Sequence, residues 1–194
     1  MTVGVVAVQG AFIEHENALK SLGVQCIELR QKEDVLKPCD ALVLPGGEST
    51  VQGKLLKELD MFDTIKAKLN AGMPVLGTCA GMILLAEHIS NDNREYFKTL
   101  PVTVKRNAYG RQLGSFHTRQ TFAGLGEIPM TFIRAPYIES AAPDVRVLAE
   151  VDGNIVAVQY KNQIALSFHP ELDCDTSIYE YFINQISKHK QTMH

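Results

Sequence analysis

One stretch constrains this chain more than any other: Pro74 to Leu85, PVLGTCAGMILL. Pro74 to Thr78 is an apolar run bounded by proline and glycine, and Met82 to Ala86 is an apolar run of good helix formers. The pattern predicts a buried strand, one tight turn and a helix, with Cys79 at the bend. Gly77 and Gly81 stand two residues to either side of it. That is the spacing of a nucleophile elbow, in which small neighbours let the backbone take a strained turn and push one side chain out over the sheet edge. A cysteine there meets the amino end of a helix, where unpaired N–H groups and the macrodipole favour an anion. The competing reading is a packed thiol, because free cysteine usually behaves as a small hydrophobe. Partners elsewhere in the chain decide between the two.

Upstream of the elbow the pattern is that of a βαβ sheet. Val3 to Val8 is a continuous β-branched and apolar run, as expected of a central parallel strand covered on both faces. Ala11 to Leu22 reads as an amphipathic helix, with Phe12, Ala18, Leu19 and Leu22 on its apolar face, Glu, His and Lys between them, and Gly23 as its stop. Val24 to Leu29 and Ala41 to Leu44 read as further strands, separated by a polar connection containing Pro38. The third strand runs into PGGEST, Pro45 to Thr50, whose glycines free backbone N–H groups at the carboxyl end of a strand, where open α/β sheets bind ligands. The same residues also suit a plain turn with Ser49 or Thr50 as helix cap. Helical segments are expected over Val51 to Leu59 and Met61 to Ala71.

Beyond the elbow helix a polar turn, Ser90 to Glu95, leads into a strand-rich half. Its candidates are Val102 to Val104, Ser115 to Phe122, Met130 to Ile133, Val145 to Val151, Ile155 to Tyr160 and Ile164 to Phe168. Asp152-Gly153-Asn154 is a good hairpin turn, and the short spacing predicts an antiparallel extension of the sheet. Lys105 to Gln112 is a polar loop, Ser177 to Lys188 a closing helix, and Gln191 to His194 a fraying end.

The last strand delivers the partners that the elbow needs. His169-Pro170-Glu171 follows it directly, and the proline keeps His169 extended so that His169 and Glu171 project from adjacent points. A cysteine nucleophile requires a base, and the base an orienting group; Cys79, His169 and Glu171 fill the three roles. Taken alone, an arbitrary H-P-E is better read as a strand-end histidine beside a surface carboxylate. A metal site from His169, Glu171 and Cys174 matches no standard zinc spacing.

Charge and composition exclude other classes. With 194 residues and 45% hydrophobic content, one domain with a substantial core is expected over 1–194. The net charge of −3 and the absence of a Lys/Arg cluster argue against nucleic acid or an anionic membrane as partner. No basic leader and no apolar run of membrane-spanning length occurs, so a cytoplasmic location is expected, with Cys26, Cys39, Cys79 and Cys174 as reduced thiols.

G-T-C-A-G at Gly77 to Gly81 together with H-P-E at His169 to Glu171 resembles the class I (triad) glutamine amidotransferases. More narrowly, P-G-G-E-S-T, R-N-A-Y-G-R-Q from Arg106, F-I-R-A-P at Phe132 to Pro136 and S-F-H-P-E-L at Ser167 to Leu172 resemble the glutaminase subunits of pyridoxal 5′-phosphate synthase. The resemblance covers essentially the whole chain. His117 departs from the family pattern, which commonly has an acidic residue after S-F.

The resemblance implies a three-layer α/β sandwich, with a flavodoxin-like, mostly parallel sheet and an antiparallel hairpin extension. It implies that Cys79 attacks the side-chain amide of L-glutamine, that His169 protonates the departing ammonia and that Glu171 holds the imidazole. Glutamine binding falls on Gly46, Gly47, Glu48, Arg106, Ile133 and Arg134. The physical candidates for the oxyanion hole are the backbone N–H of Ala80 and that of Gly46 or Gly47. The implied partner is a (β/α)₈-barrel synthase subunit, in a dodecamer of heterodimers, which uses the ammonia with ribose 5-phosphate and glyceraldehyde 3-phosphate. Pyridoxal phosphate would be a product of the complex, and no cofactor or metal is implied in this chain. The nearest rival is the glutaminase of another synthase, such as imidazole glycerol phosphate synthase. Cysteine-elbow chaperones and proteases are a second, although there the histidine neighbours the elbow and His88 lies nine residues on. A catalytically dead binding module is a third, against which the intact triad argues.

Overall fold

The apolar runs read as buried strands form the middle of one sheet. The computed structural model describes residues 1–107 and 115–192. Its first half contains β1 (Thr2–Val6), α1 (Phe12–Ser21), β2 (Gln25–Leu29), α2 (Lys32–Val35), β3 (Ala41–Leu44), α3 (Ser49–Glu58), α4 (Phe62–Asn70), β4 (Val75–Thr78) and α5 (Ala80–Leu85). The second half contains β5 (Ala86–Ile89), β6 (Leu100–Lys105), β7 (Ser115–Phe122), β8 (Gly126–Ile133), β9 (Tyr137–Ala141), β10 (Arg146–Val151), β11 (Asn154–Tyr160) and β12 (Gln163–Leu166). A 3₁₀ turn at Pro170–Leu172 and α6 (Ser177–Thr192) close it.

Strands β2, β1, β3, β4 and β12 lie side by side and are all parallel. Past β12 the sheet turns antiparallel through β11 and β9 to β6, and ends on β5, which is parallel to β6. β10 pairs with β11, and β7 and β8 form a separate hairpin. The order 2-1-3-4 is that of flavodoxin-like sheets, in which ligands bind beyond the carboxyl ends of the strands where the winding reverses. Here that edge collects the ends of β1, β3, β4 and β12.

Both faces of the parallel strands are covered, which explains their continuous apolar sequence. Along β3, Leu42 and Leu44 face a core built with Leu56, Ile65 and Leu69 from α3 and α4, while Ala41 and Val43 face one built with Leu19, Phe182 and Ile186 from α1 and α6. Phe122, Met130 and Phe132 of the β7–β8 hairpin complete the second core. These are the three expected layers.

Several local expectations are corrected. Ser49 and Thr50 do not cap α3: Glu48 holds the N-cap position without a side-chain cap bond, and Ser49 is buried. Three elements escaped the sequence. Gln31 and Asp34 cap α2 reciprocally within an otherwise polar connection. The AEHI segment of β5 follows α5 without a glycine or proline break, and becomes a strand only by pairing with β6. In β9, Glu139 and Ser140 blur the alternation. The closing helix continues to Thr192, past Lys188, because its last turn stays helical rather than fraying; residues 193 and 194 lie outside the described ones. The Asp152-Gly153 turn has φ of 50° and 77°, the left-handed pair of a tight hairpin. No helix among the described residues is long and apolar enough to cross a membrane.

Gly81 shows how tightly α5 is set against the sheet. A Cβ there would stand 2.0 Å from the Leu44 carbonyl oxygen. Gly81→Ala is therefore expected to destabilise the fold by about 1–3 kcal/mol through overpacking, read as a lowered urea midpoint; an unchanged midpoint would show that the contact relaxes freely.

Candidate active site

The elbow forms as its spacing predicts. Cys79 sits between β4 and α5 with φ 48° and ψ −99°, a left-handed backbone that non-glycine residues rarely adopt. Its N–H donates to the Leu166 carbonyl of β12 at 2.7 Å, which ties the bend to the neighbouring strand end. Ala80 opens α5, where N–H groups have no partner within the helix. The thiol is 7% exposed, so it lies on the floor of a recess rather than out on the surface.

The H-P-E segment comes to it from β12. The strand itself ends at Leu166; His169 precedes the 3₁₀ turn as its N-cap, with Pro170 in the first position, so the two side chains project from a turn rather than from the strand. The Thr131 carbonyl of β8 accepts the His169 N–H at 2.8 Å. His169 Nδ1 is 2.7 Å from Glu171 Oε1, and both residues are buried. His169 Nε2 is buried without a hydrogen-bond partner of good geometry, with Cys79 close enough to act on its proton affinity. Triad contacts are often loose before substrate binds. Burial pulls the imidazole pKa down, but Cys79 and Glu171 outweigh it and push it up to about 10. Burial would raise the Glu171 carboxyl, yet His15 and His169 beside it hold it below the usual carboxylate range. The motifs of Cys79 and His169, 90 positions apart, thus meet around one imidazole.

A pocket of about 240 Å³ opens over these groups, lined by Gly47, Glu48, Cys79, Arg106, Ile133, Arg134 and His169 among others. It is small beside the 300–1,000 Å³ typical of drug-sized ligands, and suits an amino acid. A larger groove of about 730 Å³ runs along α3 and residues 94–96; of the motif residues only Thr50 reaches it, and none of the candidate catalytic or glutamine-binding residues lines it. Arg106 reaches the pocket with its backbone held by the Asn91 side chain at 3.0 Å in both directions, and with Nη1 on Asp92. One edge of its fork is thereby occupied and the remainder is available to a carboxylate. Arg134 adopts φ 46° at the end of β8 and lies exposed, with Nη1 3.9 Å from Glu48 Oε1. Of the R-N-A-Y-G-R-Q stretch, residues 108–112 lie outside the described ones. His117 stands off the pocket, 2.9 Å from Thr131 Oγ1.

The Gly46-Gly47 turn packs against the histidine. A Cβ on Gly46 would meet the His169 ring at 2.4 Å. The Gly46 carbonyl accepts the Ala11 N–H at 3.1 Å, the Pro45 carbonyl accepts from Gln52 Nε2 at 3.1 Å, and the Glu48 N–H donates to Gln9 Oε1 at 2.9 Å. Gln9 and Gln52 were not anticipated as site residues. The signal for Gln9 was its place in V-Q-G, at the carboxyl end of the first strand.

His15 was read as part of the polar face of α1, and the structure overturns this. It is fully buried, with Nε2 3.1 Å from Thr78 Oγ1 and 3.5 Å from Glu171 Oε2, and Nδ1 2.9 Å from the Tyr179 hydroxyl. Helical periodicity could not find it, because α1 packs over the H-P-E turn as well as over the sheet.

Known proteins carry the same pattern over nearly the whole chain. The sequence matches the SNO glutamine amidotransferase family over residues 5–188. The pyridoxal 5′-phosphate synthase subunit PdxT of Desulfitobacterium hafniense is 64% identical over 96% of this chain and 94% of its own. The PdxT of Methanocorpusculum labreanum is 51% identical over 96% and 98%. A glutamine amidotransferase of known crystal structure superposes with a TM-score of 0.90 at 41% identity, covering 95% of this chain and 98% of that one. The chain belongs to the SNO glutamine amidotransferase family.

Proposed function

We propose that this protein is the glutaminase subunit of a pyridoxal 5′-phosphate synthase, hydrolysing L-glutamine to L-glutamate and ammonia for a synthase subunit. The observation that carries the reading is the assembly of Cys79, His169 and Glu171 at one small pocket in a chain 64% identical to a PdxT. Identity of that order to PdxT sequences disfavours the glutaminase of imidazole glycerol phosphate synthase or another amidotransferase. The whole chain acts as one glutaminase domain in the cytoplasm, and its complex is a dodecamer of heterodimers with a (β/α)₈-barrel partner.

The chemistry follows from the groups present. Cys79 Sγ, having given its proton to His169, attacks the side-chain amide carbon of glutamine. The oxygen of the tetrahedral intermediate takes hydrogen bonds from Ala80 N–H and from the Gly46-Gly47 turn. The C–N bond breaks as His169 passes its proton to the leaving nitrogen, which departs as ammonia. Water, deprotonated by His169, then cleaves the thioester to glutamate. Arg106 and Arg134 take the α-carboxylate, while Glu48 and the Ile133 backbone hold the α-ammonium end.

The base and its orienting group are expected to differ in weight. His169→Asn should lower turnover about tenfold to a hundredfold further than Glu171→Gln, since a triad loses more with its proton carrier than with the group that aligns it. Steady-state ammonia release from the two variants, each in the complex, decides it. Equal losses would show that Glu171 does more than align the imidazole.

A further inference from the structure

Among the buried titratable groups that the Cys79–His169–Glu171 reading leaves without a role, His15 touches the triad. His15 is fully buried on α1, between the strand end that carries the nucleophile and the turn that carries the base. Its ring meets Thr78, the residue before Cys79, on one side and the free oxygen of Glu171 on the same edge. Glu171 Oε1 is taken by His169, whereas Oε2 is buried with no hydrogen bond of good geometry. His15 Nε2 stands 3.5 Å from Oε2, next to its 3.1 Å contact with Thr78 Oγ1, and the backbone N–H of Glu171 also acts on the carboxylate.

The tautomer of His15 follows from Tyr179. That side chain is 1% exposed, and the partner described for its hydroxyl is His15 Nδ1, at 2.9 Å. A buried hydroxyl without an acceptor is costly, so the phenol donates and Nδ1 accepts. A neutral imidazole that accepts at Nδ1 carries its proton on Nε2. Burial lowers the His15 pKa against the pull of Glu171, so the ring is neutral, and burial raises that of Tyr179, which keeps its proton. The Nε2–H is therefore directed at the edge shared by Thr78 Oγ1 and Glu171 Oε2.

We propose that His15 is a positioning residue of the glutaminase, its Nε2–H fixing the second oxygen of Glu171 so that the first is held on His169, with Tyr179 setting the tautomer. The inference rests on the triad reading above. A carboxylate gripped at one oxygen only can rotate about its terminal bond; gripped at both, it holds the imidazole plane toward Cys79. By analogy with groups that orient the ligands of a metal site, where loss of such a partner costs about tenfold to a hundredfold, an effect of that order is expected here. A satisfied core histidine would need neither the carboxylate nor a fixed tautomer.

The test compares His15→Asn with His15→Gln in the glutaminase–synthase complex, with glutamine as substrate. The Asn amide reaches the Nδ1 position and satisfies Tyr179, but leaves Glu171 Oε2 without a donor; the Gln amide reaches the Nε2 position and restores one. We expect His15→Asn to lower kcat about tenfold to a hundredfold at unchanged KM, and His15→Gln to recover most of it at a similar melting temperature. In a Glu171→Gln background His15→Asn should cost nothing further, because the group it positions is already gone. Equal kcat for the Asn and Gln variants, or a full loss persisting in the Glu171→Gln background, would overturn the proposal in favour of a structural histidine. Should His15→Asn fail to fold, Tyr179→Phe replaces it. That change frees the tautomer, and a kcat loss confined to the Glu171 background supports the proposal while wild-type kcat overturns it. Cys79→Ala, run alongside, separates the two readings: full turnover there sinks the triad itself, whereas a dead Cys79→Ala with a fully active His15→Asn sinks only the role of His15.

Discussion

Replacing Cys79 with alanine is expected to abolish glutamine hydrolysis while leaving the fold and docking onto the synthase intact. Loss of the nucleophile from a catalytic triad costs about 10⁶-fold in turnover, because the covalent intermediate forms on its sulfur. Of the four cysteines, Cys79 is the one that lines the pocket; Cys174 is exposed elsewhere, and Cys26 and Cys39 are half-buried away from it. Burial raises the Cys26 pKa to about 11 and that of Cys39 above its ordinary value, which leaves both poor nucleophiles. The structural cost of the change is small. The left-handed φ of 48° is no harder for alanine than for cysteine, and the backbone bond from residue 79 to Leu166 survives. Stability should therefore change by about 1 kcal/mol or less. Ammonia release above background from the folded Cys79→Ala protein, in complex, would remove Cys79 as the nucleophile.

The second large effect is expected from the partner. In the free subunit the Gly46 carbonyl accepts the Ala11 N–H at 3.1 Å, and a Cβ on Gly10 would stand 1.9 Å from that same oxygen. The Gly46-Gly47 peptide is thus held in one orientation by α1 and the residues before it. A glycine pair can rotate such a peptide without steric penalty at its own side chains, but here rotation also breaks the bond to Ala11. We predict that the isolated subunit lacks one oxyanion donor, and that docking compensates the lost bond and selects the competent turn. One donor is worth about 10²-fold to 10³-fold in turnover, so addition of the synthase should raise kcat by that order and leave KM little changed. The proposed carboxylate holders, Arg106 just past β6 and Arg134 just past β8, lie outside the Gly46-Gly47 peptide itself, so its rotation is expected to leave their grip on the substrate in place. Steady-state kinetics with and without the synthase decide the matter: a free subunit already at the complex's rate, or a partner that alters KM alone, excludes the switch.

Both predictions draw on features of different legibility. Local chemistry was open to reading from the chain alone. Gly77 and Gly81 around Cys79, the proline that separates His169 from Glu171, and the unbroken apolar runs of β1, β3 and β4 each express a backbone demand or a burial demand within a few residues. Such demands leave few alternatives, so the elbow, the parallel centre of the sheet and the three side chains that meet at the pocket are visible in the sequence. The Asp152-Gly153 turn belongs with them, since its two left-handed residues are a local requirement.

Contacts between distant segments decided the rest. AEHI became a strand because β6 offered it a free edge, a property of the assembled sheet and not of those four residues. Arg106 was readable as a cation, but its restraint by Asn91 and Asp92 depends on the path of the chain between β5 and β6. Gln9 and Gln52 brace the Gly46-Gly47 turn across 39 and 7 positions, through amides whose hydrogen-bonding capacity has no preferred partner in sequence. His15 is the sharpest case. Its helical position lies among Glu14, Glu16 and Lys20, which reads as a solvated face; α1 instead packs onto the H-P-E turn, 156 positions away from it at Glu171, and α6 brings Tyr179 to its other side. The sequence by itself determined which groups are proposed to carry the chemistry, because an elbow cysteine and an H-P-E turn announce themselves through local geometry. Only the tertiary structure decided how those groups are held, because a hydrogen-bond donor becomes a positioning group through the neighbour that the fold supplies.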